Sequence, residues 1–236
     1  MYKRVLLKLS GEALSSPENA FEPKVLTALS DELKKVTASG VQVGIVVGGG
    51  NIIRGKFASQ LALPRVSADK MGMLGTVINA LAIQGVLEAN GMTAYLQSAV
   101  EVPRCADVAD ARKAIQHLEA GEIVVFGGGT GNPYFSTDSA ASLRASEINA
   151  EVILMAKNGV DGVYSDDPRK NPDAVKYDRL TYKEMLDKQL GVMDLTAASM
   201  CNDNNIDCVV FNMNDLSNIS RVINGEDIGT VITKGE

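Results

Sequence analysis

The chain has 236 residues, 45% of them apolar, with 23 Lys+Arg against 29 Asp+Glu, one histidine and three cysteines. That is enough apolar mass to bury a sizeable core, which excludes disorder, and a net charge of −6 argues against a general nucleic-acid surface. The single histidine, His117, lies within the helical pattern Val108 to Ala120, which argues against a histidine-based triad or a multi-histidine metal site, and Cys105, Cys201 and Cys208, odd in number and without a C-x-x-C pair, argue against a disulfide framework and a thiolate site.

The cysteines are therefore expected to be buried hydrophobes, and the chemistry must rest on Lys, Arg, Asp and backbone groups. Charge is uneven: residues 1–70 carry 10 Lys+Arg against 6 Asp+Glu, and the remainder 13 against 23. A local anion site sits more easily in the first part, although ordinary surface scatter gives the same count. No apolar run approaches the roughly 18 residues that span a bilayer, and Lys8 interrupts the first apolar stretch. The expectation is a cytoplasmic protein with no membrane partner.

In chain order, apolar runs and helical periodicity predict strand Val5–Leu9, a helix near Lys24–Ala38, strand Val41–Val47 and a long helix near Ala68–Ala89. Strand Thr93–Leu96, helix Val108–Ala120, strand Ile123–Phe126, helix Thr137–Ile148 and strand Val152–Met155 follow. The chain ends with helices near Tyr182–Gln189 and Thr196–Asn204, strand Cys208–Phe211, helix Leu216–Ile223 and strand Thr230–Thr233. Strands apolar on both faces, alternating with one-sided helices, imply a doubly wound α/β sandwich over residues 1–236 as a single domain. Between them, Asp161–Asp178, rich in Asp, Pro and Lys, reads as an irregular segment able to close over a ligand.

Ligands in such sheets gather at the carboxyl ends of strands, and that is where the glycines lie. Val43–Val47 runs into Gly48-Gly49-Gly50-Asn51, with Arg54 following; Ile123–Phe126 runs into Gly127-Gly128-Gly129-Thr130-Gly131-Asn132-Pro133, ahead of a helix opened by Ser136, Thr137 and Asp138. Glycine lets backbone N–H groups approach an anion, and a helix N-terminus favours negative charge, so two such loops suggest two phosphate groups. The standard signatures fail. Gly50 to Lys56 has Walker A spacing but ends in Phe57 where Ser or Thr must bind magnesium, and the dinucleotide fingerprint meets Ile53 and Asn132 at its third glycine. Lys8, inside an apolar strand just before Ser10-Gly11, either meets an anion or snorkels from an edge strand.

Val5-Leu6-Leu7-Lys8-Leu9-Ser10-Gly11-Glu12, Gly48-Gly49-Gly50-Asn51 with Arg54-Gly55, Ala68-Asp69 with Met71-Gly72-Met73-Leu74, Gly127 to Pro133, and Val160-Asp161-Gly162-Val163-Tyr164 with Asp167-Pro168 together resemble the bacterial uridylate kinases of the amino acid kinase fold. The resemblance runs from residue 3 to about 233. It implies a three-layer α/β/α sandwich with a mainly parallel sheet, the earlier part serving mainly the UMP side and residues 150–236 mainly ATP. It also implies transfer of the ATP γ-phosphoryl group to UMP with Mg2+, in pyrimidine nucleotide biosynthesis. Lys8, Arg54 and Asp138 would be catalytic. ATP would be held by Lys8, Leu9, Ser10, Gly11, Gly50, Arg54, Asn158, Tyr164 and Asp167, and UMP by Gly49, Asp69, Thr130, Gly131, Asn132, Pro133, Tyr134, Phe135, Ser136 and Thr137. Magnesium would be held mainly by nucleotide phosphates, with no protein ligand directly assigned.

Local patterns leave alternatives open: a surface salt bridge for Arg54, a helix-dipole acid for Asp69, a plain N-cap for Asp138. Asp194 reads as a helix cap with an indirect effect. The resemblance further implies a homohexamer and UTP feedback inhibition. GTP activation is in doubt, because Ser15 to Glu22 replaces the glycine-rich stretch of the family. The rival readings are a kinase of the same fold with a carboxylate or carbamate acceptor, and a nucleotide-binding storage or regulatory protein.

Overall fold

Strands that are apolar on both faces belong in the interior of a sheet, and the computed structural model, which describes residues 2–53 and 62–235, puts them there. The strands are β1 (Arg4–Leu9), β2 (Gln42–Val47), β3 (Ala94–Ser98), β4 (Asp107–Val108), β5 (Ile123–Gly127), β6 (Val152–Lys157), β7 (Val163–Tyr164), β8 (Lys176–Tyr177), β9 (Arg179–Thr181), β10 (Asp207–Asn212) and β11 (Thr230–Thr233). Nine of them form one sheet in the order β4-β3-β5-β2-β1-β6-β10-β11-β9, with only the β10–β11 pair antiparallel; β7 and β8 pair antiparallel apart from it.

Helices cover both faces. On one lie α1 (Pro23–Ala38), α2 (Arg65–Ala89) and, late in the chain, the short helix Asn218–Ile223; on the other lie α3 (Ala111–Glu119), α4 (Thr137–Glu147), α5 (Tyr182–Asp187) and α6 (Leu195–Asp203). Side chains alternate along each strand, so Val5, Leu7 and Leu9 join the first core, while Leu6 faces the second. By the same alternation Lys8 points toward the α4 face. The resulting α/β/α sandwich agrees with the expected class.

Four expectations change. Val108 starts no helix: it pairs with Ser98 in the edge strand β4, and α3 begins at Ala111, where the Asp110 carboxylate accepts the Lys113 N–H at 2.8 Å. The long helix α2 starts at Arg65, just after Pro64, which fixes its entry. The irregular segment Asp161–Asp178 contains the β7–β8 hairpin. Cys105 is exposed, whereas Cys201 and Cys208 are buried, burial pushing both of these thiols up. Helix α2 also has the length and mean hydropathy to cross a membrane, although Thr76, Asn79 and Gln84 interrupt any continuous apolar run. Its Val77, Ala80, Ile83 and Leu87 are spent on the protein core.

Candidate active site

The carboxyl ends of β1 and β6 bring two lysines together on the α4 side of the sheet. Lys8 lies in the middle of that sheet, its strand flanked by β2 and β6, and is 8% exposed; a lysine snorkelling from an edge strand is ruled out. Its Nζ meets Asp138 Oδ1 at 2.7 Å. Asp138 is no plain cap. Ser136 holds the N-cap of α4, accepting the N–H groups of Asp138 and Ser139 at 2.9 and 3.1 Å, which frees the Asp138 carboxylate to face Lys8.

The second lysine, Lys157, escaped the sequence reading. It stands two residues beyond Met155, the partner of Lys8 in register, and so projects from the same face. Burial, with the Lys8 charge beside it, holds its ammonium below the usual lysine range, while Asp138 partly offsets the shift. Its Nζ donates to Val192 O at 2.7 Å. The available signal was the one used for Lys8, a lysine ending an apolar strand.

Two cavities flank this centre. One, of about 540 Å3, is lined by Gly49, Gly50, Asp69, Thr130, Asn132, Phe135, Ser136 and Thr137. Gly131, Pro133 and Tyr134 belong to the same loop without lining it. Gly49 is pressed against α2: a Cβ there would stand 2.6 Å from Gly72 O. Asp69 lies in the second turn of α2, beyond the end of the helix dipole, and its Oδ2 accepts the Tyr134 N–H at 2.8 Å and Arg65 Nε at 3.1 Å. Tyr134 is thereby held at φ 74, a left-handed conformation uncommon outside glycine.

The other cavity, of about 410 Å3, is lined by Lys157, Tyr164, Asp167, Arg169 and the 188–192 segment. The Tyr164 hydroxyl donates to Asp161, and Asp167 pairs with Arg169 Nε at 3.0 Å. Asn158 is not brought to these residues; it lines a separate recess of about 370 Å3 with Glu12, Lys24 and Met213. Leu9 is fully buried, and its carbonyl accepts the Gly48 N–H, so only backbone groups of Leu9 reach the loop region. Arg54 lies outside the described residues.

Asp194 caps α6 as expected, accepting the Ala197 N–H at 2.9 Å, and also receives Ser139 Oγ at 3.1 Å and the Ser136 hydroxyl. One carboxylate thus joins the starts of α4 and α6, and with the Lys157–Val192 bond it ties the two cavities together. Burial pushes this carboxyl up, but bonds from Ser136, Ala197, Ser139 and Thr196 hold it below the usual range. Among the described residues no cluster of three metal-ligating side chains occurs. A single carboxylate, Asp138, beside room for phosphate oxygens is nonetheless a donor set that suits a divalent cation carried in with a nucleotide.

Two cationic ammonium groups and a carboxylate at the carboxyl ends of parallel strands, between two cavities edged by glycine loops, make a phosphoryl-transfer site of the type that works by positioning and charge neutralisation. The chain belongs to the amino acid kinase family, whose family model it matches over residues 3–212. Within that family it is 53% identical over its full length to the uridylate kinase of Pediococcus pentosaceus, covering 98% of that protein, and 52% identical to that of Limosilactobacillus reuteri, over 98% of this chain and 97% of the relative. Among solved structures, the UMP kinase of Bacillus anthracis superposes with a TM-score of 0.96 at 39% identity, over 100% of this chain and 97% of that one. The more distant uridylate kinase of Archaeoglobus fulgidus gives 0.76 at 32%, over 98% and 100%.

Proposed function

We propose that this chain transfers the γ-phosphoryl group of ATP to UMP, giving ADP and UDP, in pyrimidine nucleotide biosynthesis. The carrying observation is the Lys8–Asp138 pair between two nucleotide-sized cavities, in a chain similar over its whole length to uridylate kinases. The acceptor is already an anionic phosphate oxygen and needs no general base. It attacks the γ-phosphorus, the bond to the β–γ bridging oxygen breaks, and ADP leaves with that electron pair. The protein must hold two anions in line and neutralise the charge between them.

Lys8 and Lys157 supply that positive charge. Lys157, with its ammonium disfavoured by burial and by Lys8, regains a favourable environment when phosphate arrives. Asp138 orients the Lys8 ammonium and offers a carboxylate to the metal. When bound with the nucleotide, Mg2+ would supply neutralisation of phosphate charge. In this reading Ser10, Gly11, Gly50 and Arg54 contact donor phosphates, and Tyr164 and Asp167 border the adenosine, while Asn158, in its separate recess, takes no part in that wall. Gly49 and residues 130–137 enclose UMP, while Asp69 accepts the ribose hydroxyls in exchange for its present partners. The division follows the chain: the acceptor side is built mainly before residue 150, the donor side mainly after it.

The homohexamer implied by the resemblance is supported by Leu74, Ile78 and Leu81, exposed along one face of α2, where a second copy of the chain would cover them. A monomeric mass by light scattering would refute it. UTP feedback is carried over from the resemblance, and cytoplasmic location from the sequence pattern at the start of the chain. The decisive assay is Mg2+-dependent ADP release from ATP across UMP, CMP, AMP, N-acetylglutamate, aspartate and carbamate. UDP formation confined to UMP is the expected result. Turnover of a carboxylate, or silence with tight ATP binding, would overturn the reading.

A further inference from the structure

Asparagine is a poor residue for the middle of a helix, and its amide is expensive to bury without partners. Asn79 stands in the middle of α2 and is fully buried. Among the described residues, its side-chain hydrogen-bond partners all belong to the loop that follows β2. Its Nδ2 donates to Gly48 O at 2.6 Å and to Asn51 Oδ1 at 2.7 Å, and its Oδ1 accepts from Asn51 Nδ2 at 3.0 Å. Asn51 Nδ2 in turn reaches Ala20 O at 2.7 Å.

This reciprocal amide pair bears on the first phosphate loop as well. A Cβ added to Gly11 would stand 2.5 Å from both Asn51 Oδ1 and Gly48 O, so the loop after β1 rests directly on the two atoms that Asn79 holds. One turn earlier on the same helix, the buried Thr76 Oγ1 accepts the Gly128 N–H at 2.7 Å. Helix α2 therefore holds both glycine loops, after β2 and after β5, through two inward-facing polar side chains, and the Gly11 turn after β1 rests on the first of these loops.

We propose that Asn79 is a positioning residue for phosphoryl transfer: it fixes the loop after β2 against the loop after β1, and so sets the in-line placement of donor and acceptor phosphates. The inference rests on the kinase reading above. Misplacement of reacting groups by about 1 Å can cost on the order of 10²-fold in rate. Loss of the Asn79 amide is accordingly expected to lower kcat by about 10- to 100-fold while KM for UMP and ATP changes by less than about threefold.

The test uses full-length Asn79→Ala and Asn51→Ala, with the double variant, in two measurements. Steady-state kinetics on folded protein should show the kcat loss, with the double variant no worse than the worse single variant, because both remove the same pair. Hydrogen exchange followed by mass spectrometry, on the chain without nucleotides, should show faster exchange in peptides covering 10–14 and 48–53, with the α2 peptides still protected. Unchanged exchange in both loop peptides overturns the inference. So does a kcat that falls only with the folded fraction, or losses in the two single variants that simply multiply. If the parent chain makes no UDP the kinase reading fails, and loop exchange still decides whether Asn79 positions these loops.

Discussion

The cavity edged by Asp69 and Thr130 is held by hydrogen bonds between elements far apart in sequence, most of them buried: Asn79 to Gly48, Thr76 to Gly128, Ser139 to Asp194. The cavity edged by Tyr164 and Asp167 is held differently, by contacts within one excursion of the chain: Tyr164 to Asp161, Lys176 to Asp161 at 3.1 Å, Arg169 to Asp167. That excursion is pinned at its root, where Thr230 Oγ1 accepts the Val163 N–H at 2.8 Å. The contrast follows from what each wall must do. Phosphates have to be placed to a fraction of an ångström, which needs backbone clamped by buried partners, whereas a base and ribose tolerate a wall of exposed polar side chains.

The largest effect belongs to the centre shared by both walls. Lys8→Met is expected to lower kcat by at least about 10²–10³-fold, the usual loss for one preorganised charge contact. It also leaves Asp138 without its partner in a largely buried pair, so the melting temperature should fall and turnover is compared on protein that is still folded. Near-normal turnover in folded protein would remove Lys8 from the reaction.

The next test separates the walls by glycine. Gly49→Ala drives a Cβ toward the Gly72 carbonyl, a backbone atom with little room to yield, and is expected to destabilise by about 1–3 kcal/mol and to weaken UMP binding. Gly191→Ala, on the other wall, meets nothing within 4 Å at an ordinary φ, so its stability should hold or rise slightly. Equal melting temperatures for the two variants would erase the contrast.

These clamps also mark where sequence reasoning ended. The interior strands were legible because runs such as Ile123 to Phe126 are apolar on both faces, and the glycine loops because they follow such runs. Edge elements were not: β4 is two exposed residues, with no apolar run to announce it. Lys8 carried the right signal but two explanations, and only the strand order, which puts β1 between β2 and β6, separated them. Lys157 carried the same signal at the end of a strand read two residues too short. Asn79 gave none, since an asparagine among apolar helix residues reads as part of a solvated face until its partners at Gly48 and Asn51, 31 and 28 positions away, come into view.

Asp194, which joins the walls, carries a pH signature. Its carboxyl lies below the usual aspartate range because four hydrogen bonds outweigh its burial, so its contribution is fully present above the ordinary value of about 3.9 and fades as pH falls through the lower folded value. Asp194→Ala removes a helix cap and is expected to cost about 1 kcal/mol at neutral pH, a drop in melting temperature of about 2–4 °C. Below that folded value the parent loses the same contribution, and the two melting curves should converge. A gap that does not narrow at all as pH falls below the ordinary aspartate value would show that the carboxylate charge is irrelevant.

The smallest effect is expected from Arg169→Ala, and it sharpens the comparison most directly. Arg169 is 72% exposed in its side chain, and its bond holds the Asp167 carboxyl below the usual range. An exposed pair within a turn is screened by solvent and gives up side-chain entropy, so its loss should leave the melting temperature essentially unchanged. What the arginine does provide is orientation of Asp167 along the cavity edge. Its removal is expected to raise KM for ATP by no more than about fivefold, without altering kcat or KM for UMP, and the increase should shrink as salt screens the pair in the parent. A loss of kcat of tenfold or more would place this turn among the rigid elements that position phosphates, and the division between a clamped wall and an adaptable one would fail.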